Sequence, residues 1–331
     1  MNKNIVFNTE GYDSFIDFIK TYAIICVLFG HTFGFLLDKV AYGVWAGMQV
    51  PLFILVQAFH CYKKDLILVD IKKVFKRVMI PFFILEMLTF FVSLLIGNYD
   101  SITLVHIALS GGYGPGAYFP WVFFQIAILI PLFSYVLKKF NKSVSLFFFV
   151  VICEVSELFF SFIGISENLY RLLAMRYVFL LYFGWVWAKE GIKINRTTIL
   201  LSLISLVSII YFEYYSVNDE PWFFKTGFST HRWPCYYFVA YLFVAFLNLM
   251  WRKFMQNEII LKCVKVLAKS TYEIFLIQMS LIFIFPSNGI LFISSDYLRI
   301  GVWMMIVWFI SIYGGILLNK TIHPQRKRIQ I

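Results

Sequence analysis

The segment Asp13–Gly34, DSFIDFIKTYAIICVLFGHTFG, sets Asp17 and Lys20 near the start of an apolar stretch and His31 deep inside it. An ionisable group at that depth is costly unless it faces protein or water, so it is either functional or hydrogen-bonded across a helix pair. Eleven residues separate Lys20 from His31. On a helix that is about 16 Å of rise and about 20° beyond three turns, so both project from one face. A cation at the membrane surface with an imidazole in line behind it matches coenzyme A. The phosphates would sit beside Lys20, and the pantetheine arm would carry a thioester toward His31.

Other residues bear on the same chemistry. Glu86, Glu154, Glu157, Glu213 and Glu273 fall inside apolar stretches and are the carboxylates able to hold the His31 tautomer. His60 is read as a helix-end residue, His106 as an outer-loop residue, and His231 and His323 as lying outside the helices. No two histidines are three or four residues apart, so a metal site is not expected. Five widely spaced cysteines have no zinc or redox spacing and read as packing residues. The Gly-rich GGYGPGAYFPW, Gly111–Trp121, lacks the basic residue of a phosphate-binding loop and reads as a turn-rich loop over the site.

The elements that position these residues follow from composition. Of 331 residues, 61% are hydrophobic and only 14% charged, too few charges to cover a soluble protein of this size, so lipid must cover most of it. Windows of about 20 apolar residues give ten spans, at Phe18–Leu37, Val44–Tyr62, Val78–Gly97, Ala117–Leu137, Val144–Gly164, Met175–Ala188, Thr198–Tyr215, Pro234–Met250, Thr271–Pro286 and Leu298–Leu318. The sixth is the shortest. The polar N-terminal stretch runs into a hydrophobic segment too long for a signal-peptide core, so the first helix is expected to stay.

The net charge of +11 is not a nucleic-acid signal, because the basic residues cluster between apolar runs. Alternating the loops places 23 of the 29 Lys and Arg residues on one side, which the positive-inside rule makes cytoplasmic, together with both termini. The expected fold is an all-α integral membrane protein with a single domain over residues 1–331. The longest outer loops, Asn98–Gly116 and Ser216–Trp233, would rim a site for a polar acceptor.

Four more segments, in order along the chain, complete a pattern. They are KKVFKRVMIPFFI (Lys72–Ile84, with Lys76, Arg77 and Pro81) and PWVFFQIAILIPLF (Pro120–Phe133, with Trp121, Gln125 and Pro131), then MRYVFLLYFGWVWAKEG (Met175–Gly191, with Arg176) and STYEIFLIQM (Ser270–Met279). With Asp17, Lys20 and His31 they resemble the membrane-bound acyltransferase-3 family. Lys20 stands where the family has Arg, losing the planar fork that grips phosphate bidentately, and Gln278 stands where a His is frequent.

The resemblance implies transfer of an acyl group, usually acetyl from acetyl-CoA, to a hydroxyl of a cell-surface polysaccharide or its lipid-linked precursor. His31 would be the catalytic base or a transient acyl carrier, with Asp17 beside it in the motif. Lys20, Lys76 and Arg77 would bind the donor, and Arg176, Trp121 and Gln125 the acceptor, with no metal. The implied setting is a bacterial inner membrane, with polysaccharide-assembly proteins as partners. The rival class is a glycan or lipid-intermediate exporter whose buried His and Glu line a polar path. An acyltransferase-like protein that has lost activity is a third reading, kept open by Lys20 and Gln278.

Overall fold

The computed structural model describes residues 3–5, 13–64, 70–97, 110–214, 232–254, 256–287 and 296–322. Eleven helices carry the fold among them. They are α1 (Ser14–Phe33), α2 (Val40–Lys63), α3 (Ile71–Leu95), α4 (Phe119–Lys139), α5 (Lys142–Phe162), α6 (Val178–Glu190), α7 (Arg196–Tyr214), α8 (Trp233–Phe254), α9 (Glu258–Lys269), α10 (Thr271–Ile284) and α11 (Asp296–Ile322). By length and composition eight of these can cross a membrane alone, and α9 and α10, which meet at a 67° bend, pass the same test only as a pair.

Local sequence sets the boundaries. Asp13 caps α1 by accepting from the Phe15 and Ile16 amides at 3.1 and 3.2 Å, and Asn141 caps α5 through Val144 at 2.9 Å. Pro81 lacks the N–H that would bond the Arg77 carbonyl, and the turn before it, Phe75–Met79, widens into a π-helix.

The sixth expected span is real but short. After a 3-10 turn at Ala174–Tyr177, α6 has 13 residues, below the length that marks a lipid-facing helix. It is enclosed by protein: Val178 through Gly184, Val186 and Trp187 are all buried. Its far end returns to the start of α5, where Glu190 pairs with Lys142 at 3.0 Å and with Lys193 at 3.1 Å. Close approach to α2 makes this possible, since a Cβ on Gly184 would meet the Ala58 side chain and stand 2.9 Å from the Phe59 amide.

Several contacts gather the basic connections at one end of the bundle. Lys3–Ile5 pairs antiparallel with Ile192–Ile194, the Thr21 hydroxyl donates to the Val264 carbonyl, and Asn319 donates to the Lys269 carbonyl. These are connections that the expected alternation of loops puts on one side, although the helices long and apolar enough to cross number eight, or nine with the bent pair, among the described residues. The helix α9 is an addition: the sequence reading left residues 251–270 as a connection, but they form a 12-residue helix that buries Val264 and Ala268. Large apolar side chains such as Leu95, Phe147, Phe162 and Phe309 point outward from α3, α5 and α11, as a surface solvated by lipid requires.

Candidate active site

A cavity of about 1000 Å³ runs along the inner faces of α1 and α2. From α1 it takes Asp17, Lys20, Val27 and His31, the face that the helical spacing selects. From α2 it takes Gln49, Gln57, His60 and, just past the helix, Lys64. These four lie within an arc of about 80°.

The two ends of the cavity differ in chemistry. One end gathers Lys20, Lys64, Arg77 and Lys269, with Asp17 and Glu273 among them. Asp17 and Lys20 form an ion pair one turn apart. The middle is largely apolar, walled by Val27, Val50, Phe53, Phe123 and Ala127, with Gln57 and His60 set among them. The other end holds Tyr42, Gln49, Arg171, Arg176, Tyr177 and Glu213. This polar group begins beside His31, because a Cβ on Gly30 would stand 3.3 Å from the Tyr42 hydroxyl and 3.8 Å from Gln49 Nε2.

His31 is held from α10. Gln278 Nε2 lies 2.7 Å from His31 Nδ1, and the Gln278 side chain is fully buried. None of the five glutamates expected to hold the imidazole is given this place. Glu86 accepts from the Tyr113 amide at 2.8 Å, Glu154 from Trp233 at 2.8 Å, and Glu157 from Arg232 at 2.9 Å. Glu213 packs against Gly43 and Glu273 lines the basic end. A buried amide at hydrogen-bond distance orients a ring as a carboxylate does, without placing a second charge in the membrane.

The Gly-rich segment wraps over the site as expected. Gly114 and Gly116 have φ of +82° and +85°, values that L side chains avoid. A Cβ on Gly114 would run into the Met279 carbonyl, and one on Gly116 would stand 2.9 Å from Phe275 and 3.5 Å from His31 Cε1. The loop is fastened by Glu86 at Tyr113 and by Trp121, whose Nε1 donates to the Gly111 carbonyl at 2.7 Å.

Not every residue singled out in the sequence reaches the cavity. His31, Asp17, Lys20, Arg77 and Arg176 line it; Lys76, Trp121 and Gln125 do not. Lys76 and Arg77 are both exposed, but only Arg77 reaches the cavity lining, because adjacent residues on a helix point about 100° apart. Trp121 pins the Gly loop, and Gln125 clamps the chain ahead of α6, donating to the Leu172 carbonyl at 2.6 Å and accepting from the Ala174 amide at 3.0 Å. Asp17 is 14 positions from His31, about 21 Å along the helix, so it serves Lys20 and not the imidazole. Arg176 is buried, with its guanidinium 5.8 Å from the Tyr177 ring centre.

Sequence reasoning passed over Lys64, Lys269, Arg171, Gln49 and Gln57 as cavity residues. The legible signal was the polar stripe Gln49, Gln57, His60 and Lys64 on one face of an apolar helix. His106, His231 and His323 lie outside the described residues. Among the described residues no three His, Cys, Asp or Glu side chains form a metal-ligating group.

No curated protein and no solved structure matches the chain. The acyltransferase-3 family profile, described as an acyltransferase domain, matches residues 13–318. A match of that extent, over a bundle of helices long and apolar enough to cross a membrane, shows that the chain belongs to the acyltransferase-3 family and is a membrane acyltransferase.

Proposed function

We propose that the chain moves an acyl group, most simply acetyl, from acyl-CoA at the cytoplasmic face to a hydroxyl of a carbohydrate presented at the opposite face. The observation that carries this reading is the single cavity joining Lys20, Lys64, Arg77 and Lys269 to His31 and, past it, to the Tyr, Gln, Arg and Glu side chains of the other end.

The basic end suits phosphates, and the positive-inside rule assigns it to the cytoplasm, where acyl-CoA is found. About thirteen bonds separate phosphorus from sulfur in the pantetheine arm. Three backbone-like bonds span roughly 3.6 Å, so the extended arm reaches about 16 Å. That matches the rise from Lys20 to His31, about 16 Å. The apolar middle accepts the arm and excludes water that would hydrolyse the thioester. The far end offers hydroxyl, amide, guanidinium and carboxylate groups in one wall, the mixture that pairs with a polyhydroxylated acceptor.

In the direct route His31 takes the proton of the acceptor hydroxyl, the oxygen attacks the thioester carbonyl, the C–S bond breaks, and the leaving thiolate takes the proton from the imidazolium. In the stepwise route His31 carries the acyl group between donor and acceptor. Residues of the Gly loop close over either. The setting that fits is a bacterial inner membrane, with polysaccharide-assembly proteins bringing the acceptor.

A cavity with polar groups at both ends also suits an exporter of a glycan or lipid intermediate. Membranes carrying the wild type or His31→Ala, matched for folded protein, separate the readings. The expected result is acetyl-CoA consumption and glycan O-acetylation by the wild type and loss of at least about 100-fold in the variant. Equal behaviour of the two proteins would sink the catalytic role of His31, and glycan export without acetyl-CoA consumption would favour the exporter.

A further inference from the structure

The contact between Gln278 and His31 poses a question of proton placement. In the orientation that sets Gln278 Nε2 2.7 Å from His31 Nδ1, the amide donates to the Nδ1 lone pair, which is open only in the tautomer that carries its proton on Nε2. Such an imidazole offers a donor to the substrate and cannot act as a base. To take a proton at Nε2 it must carry one on Nδ1, and Nδ1–H then needs an acceptor. Gln278 Oε1 is buried and has no hydrogen-bond partner among the described residues. Half a turn about the last side-chain bond exchanges Oε1 and Nε2 in place, and Oε1 leaves no other bond behind.

We propose that Gln278 is the positioning residue of His31: in the catalytic form the imidazole carries its proton on Nδ1 and donates it to Oε1 of the turned amide, leaving Nε2 free to take the acceptor proton and supporting the imidazolium that results. This rests on the acyl-transfer reading of His31. Over one cycle the proton passes from the acceptor hydroxyl to Nε2 and then to the departing thiolate. The Nδ1 proton stays in place throughout, against Oε1. A glutamine can follow both tautomers because it is donor and acceptor at once. A carboxylate would hold only the Nδ1–H form.

The titratable groups of the cavity come from every element around His31. Glu273 faces it from α10, Tyr42, His60 and Cys61 from α2, Tyr118 from the Gly loop, Arg171, Arg176 and Tyr177 from the segment before α6, and Glu213 from α7, with Lys64, Arg77 and Lys269 at the basic end. Lys20 and Asp17 lie further along α1 itself. Against the ring stand the Gly116 backbone, Phe275 and Gln278. A change at position 278 is therefore read most directly by His31.

The test is the pH dependence of kcat/KM for acetyl-CoA in the wild type, Gln278→Glu and Gln278→Met, with acetyl-CoA binding by calorimetry as the check on folding. A base must be neutral to act, so activity rises with pH through the imidazole titration. An anionic acceptor at Nδ1 favours the imidazolium and moves that limb to higher pH, by about one to three pH units. Gln278→Met removes the acceptor, lowering kcat by about tenfold or more with KM for acetyl-CoA unchanged.

Coincident limbs in wild type and Gln278→Glu, or unchanged kcat in Gln278→Met, would overturn the assignment. If Gln278→Glu does not fold, the kcat and KM of Gln278→Met decide alone. Failure of the wild type itself to consume acetyl-CoA would instead remove the acyl-transfer reading and leave Gln278 a structural partner.

Discussion

At the scale of single residues, neighbours in sequence are separated by which way they face. Lys76 and Arg77 are indistinguishable as a basic pair before Pro81, yet only Arg77 lines the cavity. Arg77→Ala and Lys20→Ala should each raise the KM for acyl-CoA by roughly 10- to 100-fold, the worth of one charge-assisted hydrogen bond. Lys76→Ala should leave it within about twofold, because that side chain lies outside the cavity lining and an exposed cation away from a ligand is worth little. Steady-state kinetics on the three variants checks this, and an equal rise in Lys76→Ala would mean that the phosphates bind outside the cavity. His31 and Lys20 were legible because a fixed helical rise and turn convert their spacing into a shared face. The partner of His31 was not. Position 278 showed only a departure from a family pattern, and the pairing spans 247 residues of sequence, which no local periodicity encodes.

At the scale of elements, hydrophobic windows found the eight helices long enough to cross a membrane but told less of the short α6 and nothing of α9. The short α6 reads as a doubtful span because length is a criterion for helices in lipid, whereas this one is enclosed by protein. Its closeness to α2 depends on Gly184, where any Cβ would overlap the Ala58 side chain. Gly184→Val should therefore prise α2 from α6 and, because α2 carries one wall of the cavity, cost activity and stability together. Overpacking of this kind costs about 1–3 kcal/mol or more. Thermal unfolding in detergent with a parallel acetyl-CoA turnover assay measures both losses, and an unchanged midpoint would show that the two helices have room to separate. The amphipathic α9 escaped the windows for the opposite reason: 12 residues with three lysines and a glutamate are too short and too polar to register as a span.

At the scale of the whole molecule, the distribution of charge gives the site a direction. The connections that the positive-inside rule places in the cytoplasm are tied to one another at one end of the bundle, and the cavity's lysines, with Arg77, lie toward that same end. The donor should therefore be accepted from one side only. In inverted membrane vesicles, whose cytoplasmic face is outward, added acetyl-CoA should be consumed; in sealed right-side-out vesicles it should not, because a charged coenzyme does not cross the bilayer. Cys263 supplies the internal control. It is the exposed cysteine among the five and lies on α9 at the basic end, so an impermeant maleimide should label it in the inverted vesicles alone. If Cys263 labels as expected while acetyl-CoA is consumed only in right-side-out vesicles, the polar end and not the basic end binds the donor, and the direction of transfer is reversed. If both follow the basic face, the thioester enters where the lysines are, and the acyl group must pass His31 to reach an acceptor on the other side.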